Sequence, residues 1–378
     1  MIYTKYLTPL IALTLLACSE KEVTRYAPII EKPLVTTQEC ALFSDTSCIN
    51  DDEFVEMFES YASIDEGSLE AIFTLRGWIY ESNANSLTRA SFLTLLELEI
   101  GTIKASEKSL YSKIDPFLTD NQSGEIIKVL IGKKVYSMDP SLSSGNFSGT
   151  IRLTQEELQA IYKAQSSEEY ISYKVLLPSD ETRVIEGKVK VLSNSGTIVV
   201  SDVDDTIKVS EVYISNERLL QNVFVNYPRK IISTQNILTT LEEEHDTSFF
   251  YVSGSPKQLS KEIKNFIKRE NFPEGFLYLK DFQLSPFTYS FFKFLDSDST
   301  YEHKIERISK LLEEFPNKEF ILIGDSGEKD PEVYGELLKK YTEQIKKIYI
   351  RNVTNESLDN ERLSSAFKEG KEKLTLLD

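Results

Sequence analysis

The sequence predicts an α/β protein, a parallel sheet with helices on both faces, preceded by a β-rich, sandwich-like module. Three observations predict it. After Ser193, continuous apolar runs ("TIVVS", "SFFYVS", "FLYL", "EFILIG", "KKIYIRNV") alternate with helical patterns, as strands buried on both faces do. Before Ser193, runs rich in β-branched and aromatic residues are punctuated by Gly, Asn, Ser and Asp, the texture of antiparallel strands and turns. With 378 residues, 40% hydrophobic and 27% charged, the chain has an ordinary globular balance and the length for two domains.

The first element is the run "MIYTKYLTPLIALTLLACSEKE", with Lys5, an apolar stretch ending at Ala17, then Cys18. A helix needs about 20 apolar residues to span a bilayer, and this stretch is shorter. It reads as an export signal over residues 1–17. The ending "LLAC" resembles a bacterial lipoprotein signal. That resemblance implies cleavage before Cys18, lipidation of its thiol, and a lipid-anchored protein on the periplasmic side of a bacterial membrane. An uncleaved anchor and cleavage elsewhere are the alternatives. In an oxidising compartment the remaining Cys40 and Cys48 invite a disulfide, with two free thiols as the plain alternative. Residues 18–51 are polar, contain Pro28 and Pro33, and read as a tether. Roughly 30 residues reach up to about 100 Å when extended.

Residues 52–193 form the β-rich module. "DDEFVEMFESYASI" can bury Phe54, Met57, Phe58 and Tyr61 on one helical face. Strands are expected in "AIFTLRGWIYES", "GEIIKVLIGKKVYSM", "NFSGTIRLT", "YISYKVLLP" and "TRVIEGKVKVL", with a helix at "SLTRASFLTLLELEIG". The module has no His and no convergent acid cluster, so a structural or binding role is expected. In residues 194–353, "PKQLSKEIKNFIKRE" and "HKIERISKLLEEF" place apolar residues three or four apart, as helices covering the parallel sheet. Residues 354–378 read as a helical tail.

The formal charge of −17 and a pI near 4.8 repel nucleic acid and anionic surfaces. No nucleic-acid partner is expected, and a phosphate-bearing ligand would have to be held locally, through a cation.

Ligands of such sheets bind at the carboxyl ends of the strands. After "TIVVS" comes Asp202-Val203-Asp204-Asp205-Thr206; after "SFFYV" comes Ser253-Gly254-Ser255-Pro256, which reads as opening a helix; after "EFILIG" comes Asp325-Ser326-Gly327-Glu328-Lys329-Asp330. His303-Lys304 lies in the helix before that last strand. Each residue type has a task if the ligand is a phosphoryl group. Hard carboxylate oxygens suit Mg²⁺, which shares its shell with water and phosphate. Asp202 can attack phosphorus as a covalent nucleophile. Asp204 can protonate the leaving oxygen and then activate water. A helix N-terminus at Ser255-Pro256 would offer N–H groups to phosphate, and Lys304 would neutralise its oxygens. Taken singly these are bland: a lone DxDxT is most often a cap or turn, GDS a turn, Ser253 a strand-end hydrogen-bonder, Lys304 a solvated helix residue. Four motifs in one order, each at a strand end or in a helix, decide for the chemistry. Asp205 reads as a loop-shaping residue.

That order, DxDxT, strand-end Ser, Lys, GDxxxxD, resembles the haloacid-dehalogenase superfamily of phosphotransferases. More narrowly, "SDVDDTIKVS", "YVSGSP", "LKDFQLSP", "HKIERISKLLEEFP", "FILIGDSGEKDPEVY" and "IYIRNV" look like the catalytic domain of the actin-patch-type phosphatidate phosphatases, over about residues 196–353. The resemblance implies a haloacid-dehalogenase-like sheet, with Asp202 as nucleophile and Asp204 as acid and base. It implies Mg²⁺ on Asp202, the backbone carbonyl of Asp204, and Asp325. Ser253 and Lys304 would contact phosphate, and Thr206, Gly254 and Asp330 would support the site.

Between these motifs lie Phe282, Phe287, Tyr289, Phe291, Phe292 and Phe294, either an apolar rim for a lipid phosphate or aromatic packing onto the sheet. His245 and His303 read as incidental. The expected function is Mg²⁺-dependent hydrolysis of a phosphomonoester, phosphatidate or a related lipid phosphate, at a membrane reached through the lipid anchor. The competing readings are a phosphatase for a soluble periplasmic phosphomonoester or phosphoprotein, and an inactive phosphatase-like scaffold or binding protein. The intact Asp202, Asp204, Ser253, Lys304 and Asp325 count against the last.

Overall fold

The computed structural model describes residues 46–178, 181–244, 246–281 and 297–378. Among these, the first sheet is built from β1 (Glu53–Met57), β2 (Ser60–Ile64) and β3 (Ala71–Ser82), followed by helices α1 (Ser86–Ile100) and α2 (Glu107–Ile114). It continues with β4 (Thr119–Asn121), β5 (Lys128–Ile131), β6 (Lys134–Ser137), β7 (Asn146–Leu153), helix α3 (Gln155–Gln165), β8 (Tyr170–Val175) and β9 (Glu186–Val191). The strands run in the order β1-β3-β2-β9-β8-β5-β6, with β4 and β7 also paired to β3. All pairings are antiparallel except β2 with β9. Alternation along β3 puts Phe73 and Leu75 into a core shared with Val129, Ile151, Ile171 and Val189.

The helix expected over 52–64 is two strands instead. Met57 and Phe58 end one strand's register against Gly77 and Arg76, and Ser60 opens another. Two short strands separated by a break mimic a helical spacing of apolar residues, and pairing with distant β3 overrides the local pattern. Helix α1 forms where expected, entered through a capping box of Asn85 and Thr88. Helix α3 was not expected, although Thr154 and Glu157 form a capping box ahead of it.

The second sheet holds β10 (Thr197–Ser201), β11 (Thr247–Pro256), β12 (Gly275–Lys280), β13 (Glu319–Asp325), β14 (Ile345–Arg351) and β15 (Leu374–Leu377). Their order is β12-β11-β10-β13-β14-β15 and every pair is parallel. Covering helices are α4 (Asn216–Leu220), α5 (Ile232–Glu242), α6 (Ser260–Arg269), α7 (Ser297–Glu314), α8 (Asp330–Lys340) and α9 (Glu361–Ala366). One face packs Val199, Tyr251 and Ile323 against Phe224, Ile263 and Phe266; the other packs Val200, Phe250 and Leu322 against Ile308, Leu312 and Leu337. The C-terminal segment is not only helical: β15 pairs with β14, and Leu363, Phe367 and Leu374 join the second face.

The packing crosses the sequence boundary at Ser193. Phe92, Leu96 and Ile100 of α1, with Leu110, Ile114 and Phe117, belong to the core of the parallel sheet, where Phe92 and Phe117 meet Phe224. Tyr61 of β2 inserts among Phe250, Phe276 and Phe315. The described residues accordingly cluster as one unit. The expected signal peptide, Cys18, Cys40, most of the tether, His245 and the aromatic stretch 282–294 lie outside the described residues. Cys48 is disulfide-bonded, its partner lying outside them, and its backbone bridges to Ile126.

Candidate active site

Strand β10 sits in the middle of the parallel sheet, and one further ladder bond, Asp202 N–H to the Ile323 carbonyl at 2.9 Å, carries its register to Asp202. The chain then turns sharply. Val203 and Ile207 anchor the turn in the core, the Ile207 N–H bonds the Val203 carbonyl at 3.0 Å, and Asp205 takes a left-handed φ of 54°. The Asp205 carboxylate accepts the backbone N–H groups of Ser210, Glu211 and Val212 at 2.9, 2.8 and 2.7 Å. It shapes the loop, and the turn leaves Asp202 and Asp204 directed to one sheet edge.

Strand β13 delivers Asp325 beside Asp202. Its Oδ1 accepts N–H groups of Gly327 and Glu328 at 2.6 and 3.2 Å, which curls the loop into α8. Asp330, at the first position of α8, accepts the Asp325 N–H on Oδ2 at 3.1 Å. Gly324 permits this approach, because a Cβ there would stand 2.3 Å from the Asp330 carboxylate. Lys304 of α7 reaches down between the carboxylates. Its Nζ lies 3.0 Å from Asp202 Oδ1 and 2.9 Å from Glu328 Oε2, and it also pairs with Asp330 Oδ1.

This cluster is strongly unbalanced, since Asp202, Asp325, Asp330 and Glu328 surround one ammonium. Burial, reinforced by Asp330 and Glu328, pushes the Asp202 carboxyl well above its ordinary range despite Lys304. Burial and the same two neighbours do so to Asp325. Burial opposes the charge of Lys304, but Asp202, Asp330 and Glu328 outweigh it and hold the ammonium well above its usual value. A buried excess of carboxylate calls for another cation.

The residues fit a divalent metal. Asp202, Asp325 and Asp330 can each offer an oxygen within 4.8 Å of the others. Oδ2 of Asp202 and Oδ2 of Asp325 are buried without a partner, as ligand atoms would be, and Oδ1 of Asp202 has only the Lys304 ammonium beside it. Both oxygens of Asp330 are engaged, by Lys304 and by the Asp325 N–H. Asp202 and Asp325 are therefore the natural ligands, with Asp330 behind them.

Asp204 faces a different environment. It pairs with Lys208 at 2.8 Å and accepts hydrogen bonds from the hydroxyls of Ser210, Ser253 (3.2 Å) and Ser255 (2.7 Å). Burial alone would raise its pKa, but Lys208 and the hydroxyls of Ser210 and Ser255 pull it down to about 2. Asp202 and Asp204, two positions apart, are thus driven in opposite directions by their surroundings, a pattern typical of divided roles.

The sequence-expected residues mostly converge. Asp202, Asp204, Ser253, Lys304, Asp325 and Asp330 meet at the strand ends, and Gly254 is needed because a Cβ would stand 2.7 Å from Thr300. The Thr206 hydroxyl is buried without a partner. The expected helix start at Ser255-Pro256 is different: β11 runs to Pro256, a 3₁₀ turn covers Lys257–Leu259, and α6 begins at Ser260. Ser255 instead contributes its hydroxyl. Its N–H bonds Ser253 Oγ at 2.9 Å, which keeps the strand extended past the expected cap. Sequence reasoning gave no role to Glu328, Lys208 or Ser210. The spacing of Lys208 four residues after Asp204 was a usable signal; nothing local marks Glu328.

A cavity of about 110 Å³ opens over the site, with Asp204, Ser255, Lys304 and Glu328 on its polar side. Val212, Leu219, Val223 and Leu259 form its apolar side.

Residues 197–352, which carry all of these groups, match the family described as phosphatidate phosphatase APP1, catalytic domain. The chain is 36% identical over 170 residues to Phosphatidate phosphatase APP1 of Saccharomyces cerevisiae, which covers 44% of this chain and 28% of that protein. It is 23% identical over 209 residues to an uncharacterized protein of Schizosaccharomyces pombe, covering 53% of this chain and 33% of that one. The chain thus spans a third or less of the length of these curated relatives. A solved carbohydrate esterase is similar only to a TM-score of 0.21 at 11% identity, over 79% of this chain and 88% of that one. The part of the chain bearing the carboxylates is similar to a phosphatase catalytic domain.

Proposed function

We propose that the chain is a Mg²⁺-dependent phosphatase of the haloacid-dehalogenase type, hydrolysing phosphatidate or a related lipid phosphate through a phosphoryl group carried on Asp202. One observation carries this reading: within the stretch matching a phosphatidate phosphatase catalytic domain, the buried carboxylates of Asp202 and Asp325 hold unpartnered oxygens beside Lys304. Asp202, the Asp204 backbone carbonyl and Asp325 would hold Mg²⁺, which when bound supplies the positive charge that lets a carboxylate approach a phosphate.

The substrate phosphoryl group enters beside Lys304 and Ser253, whose N–H and O–H donors face its oxygens. Asp202 attacks phosphorus; the bond to the leaving alkoxide breaks, and Asp204 hands that oxygen a proton. A carboxylate held at about 2 carries no proton of its own at neutral pH. The proton arrives with a monoanionic phosphate or is taken up as the substrate's charge offsets Lys208. Asp204 then removes a proton from water, which attacks the phosphoryl group on Asp202 and releases inorganic phosphate with the Asp202 carboxylate restored. Export and the Cys18 anchor would place this chemistry at a membrane, which the apolar wall of Val212, Leu219 and Val223 suits.

The test is a substrate panel with the mature protein, comparing phosphatidate in mixed micelles with soluble phosphomonoesters, each in Mg²⁺ and in EDTA. The reading expects Mg²⁺-dependent release from phosphatidate and its loss in EDTA. Robust hydrolysis of soluble esters with none of phosphatidate would replace the lipid by a soluble substrate. No hydrolysis of any ester would leave a scaffold. Cys18→Ser should move the protein from the membrane to the soluble fraction with activity on a soluble ester unchanged.

A further inference from the structure

Apart from the carboxylate centre, a cavity of about 500 Å³ lies between the two sheets' layers, walled by β3 on one side and α7 on the other, with Tyr278 of β12 between them. Its lining follows from the two periodicities. Phe73 and Leu75 of β3 join the core of the first sheet, so Ile72, Thr74 and Arg76 face outward to the cavity. On α7, Arg307, Lys310 and Glu314 fall at spacings of three and four and line the opposite wall.

The positive groups here are unspent. The guanidinium carbons of Arg76 and Arg307 stand 4.2 and 5.8 Å from the centre of the Tyr278 ring. Among the described residues Arg76 has no carboxylate within ion-pair distance, and Arg307 has only its chain neighbour Glu306 at 4.0 Å. Arg76 Nη2 and Arg307 Nε are buried and have no hydrogen-bond partner. Of the three acids in the same walls, Glu313 and Glu314 are committed elsewhere and Glu59 is half engaged. Glu314 accepts from Tyr61 at 2.7 Å and Ser63 at 3.3 Å, and Glu313 binds Lys340 and Tyr341. Glu59 gives Oε1 to Lys264 at 2.7 Å and keeps a buried Oε2 without a partner. In a chain of net charge −17, donors buried without an acceptor call for an anion.

We propose that this cavity binds a phosphate group through Arg76, Arg307 and Lys310, at a site separate from the Asp202 centre. A tetrahedral oxyanion has oxygens enough for both guanidinium groups and the ammonium, and the unpartnered oxygen of Glu59 would accept from the hydroxyl of a hydrogen phosphate. The group could belong to free phosphate or to the headgroup of an anionic phospholipid. Because Arg307 follows Lys304 by three residues on α7, occupancy here bears on the helix that carries Lys304. The proposal needs no catalysis and stands whether or not the chain is a phosphatase.

The experiment is calorimetric titration of the full chain in EDTA, where the bare carboxylates of the Asp202 centre repel phosphate. The probes are inorganic phosphate and, below its micelle concentration, dihexanoyl phosphatidylglycerol. We expect binding of at least one of the two. Arg76→Gln with Arg307→Gln should weaken it at least about tenfold. Lys310→Gln, at an exposed position that cannot disturb the fold, should weaken it a few-fold on its own. Tighter binding of phosphate identifies the free ion as ligand, and tighter binding of the lipid identifies the headgroup; both support the site. Binding of neither probe up to about 10 mM, or binding unchanged in both Lys310→Gln and the double variant, overturns it.

Discussion

At the scale of single residues, the site consists of carboxylates that the fold holds at a cost. Asp202 and Asp325 are driven up by burial and by each other's acidic neighbours, so without a cation their charge opposes folding. A carboxyl with a raised folded pKa contributes stability below its unfolded value and loses it as pH rises through the folded one. Metal-free protein should therefore gain stability from these two groups as pH falls from neutrality toward about 4. Asp202→Asn or Asp325→Asn should stabilise the protein in EDTA at pH 7 by on the order of 1–2 kcal/mol, seen as a raised melting temperature, while activity falls at least about 10³-fold. Lys304 keeps Glu328 and Asp330 in the Asp202 variant, so no new unpaired charge offsets the gain. A lowered melting temperature in EDTA would show that the carboxylates are not in excess. These aspartates were legible in the sequence because strand-end motifs fix where a side chain emerges. The cage around Asp204 was not, since Ser210 and Ser255 reach it only through a turn and an extended strand whose shapes are set by Asp205 and Ser253.

At the scale of elements, the parallel strands were plain because a strand buried on both faces needs an unbroken apolar run, and β10, β11 and β13 have one. Short strands with one exposed face carry a weaker signal. In β1 and β2 the register comes from pairing with β3 and β9, which no local window contains. The close join between β13 and α8 is where an element sets the chemistry. Gly324→Ala would drive a methyl group into the Asp330 carboxylate and separate it from the Asp325 N–H. Overpacking of this kind costs about 1–3 kcal/mol. Activity should fall more than stability alone explains, and raised Mg²⁺ should recover part of it, because the displaced Asp330 no longer holds the Asp325 backbone and Lys304 in place. Unchanged Mg²⁺ dependence in a folded Gly324→Ala protein would separate this join from the metal site.

At the scale of the whole molecule, the two sheets share their packing. Tyr61 of β2 packs edge-on against Phe250 and Phe276 and hydrogen-bonds Glu314 at 2.7 Å, and the α1–α2 segment covers Phe224. Tyr61→Ala should cost about 3–5 kcal/mol, as a buried aromatic truncation does, and thermal unfolding should remain a single transition for both sheets. Two separated transitions would mean that the layers fold on their own. This sharing was hidden in the sequence, where 86–118 sits among β-rich runs and its apolar face gives no sign of which core receives it.

The covalent role proposed for Asp202 is the central claim, and rapid acid quenching of the intact chain tests it most directly. The Asp204→Asn variant, mixed with Mg²⁺ and a phosphomonoester of a good leaving group, would be quenched, digested and mapped by mass spectrometry. Asp202 should carry a phosphoryl group that accumulates because water is no longer activated, and the group should vanish in Asp202→Asn. Hydrolysis by the unmutated protein with no adduct on the peptide holding Asp202, or an adduct on a different residue, would contradict it.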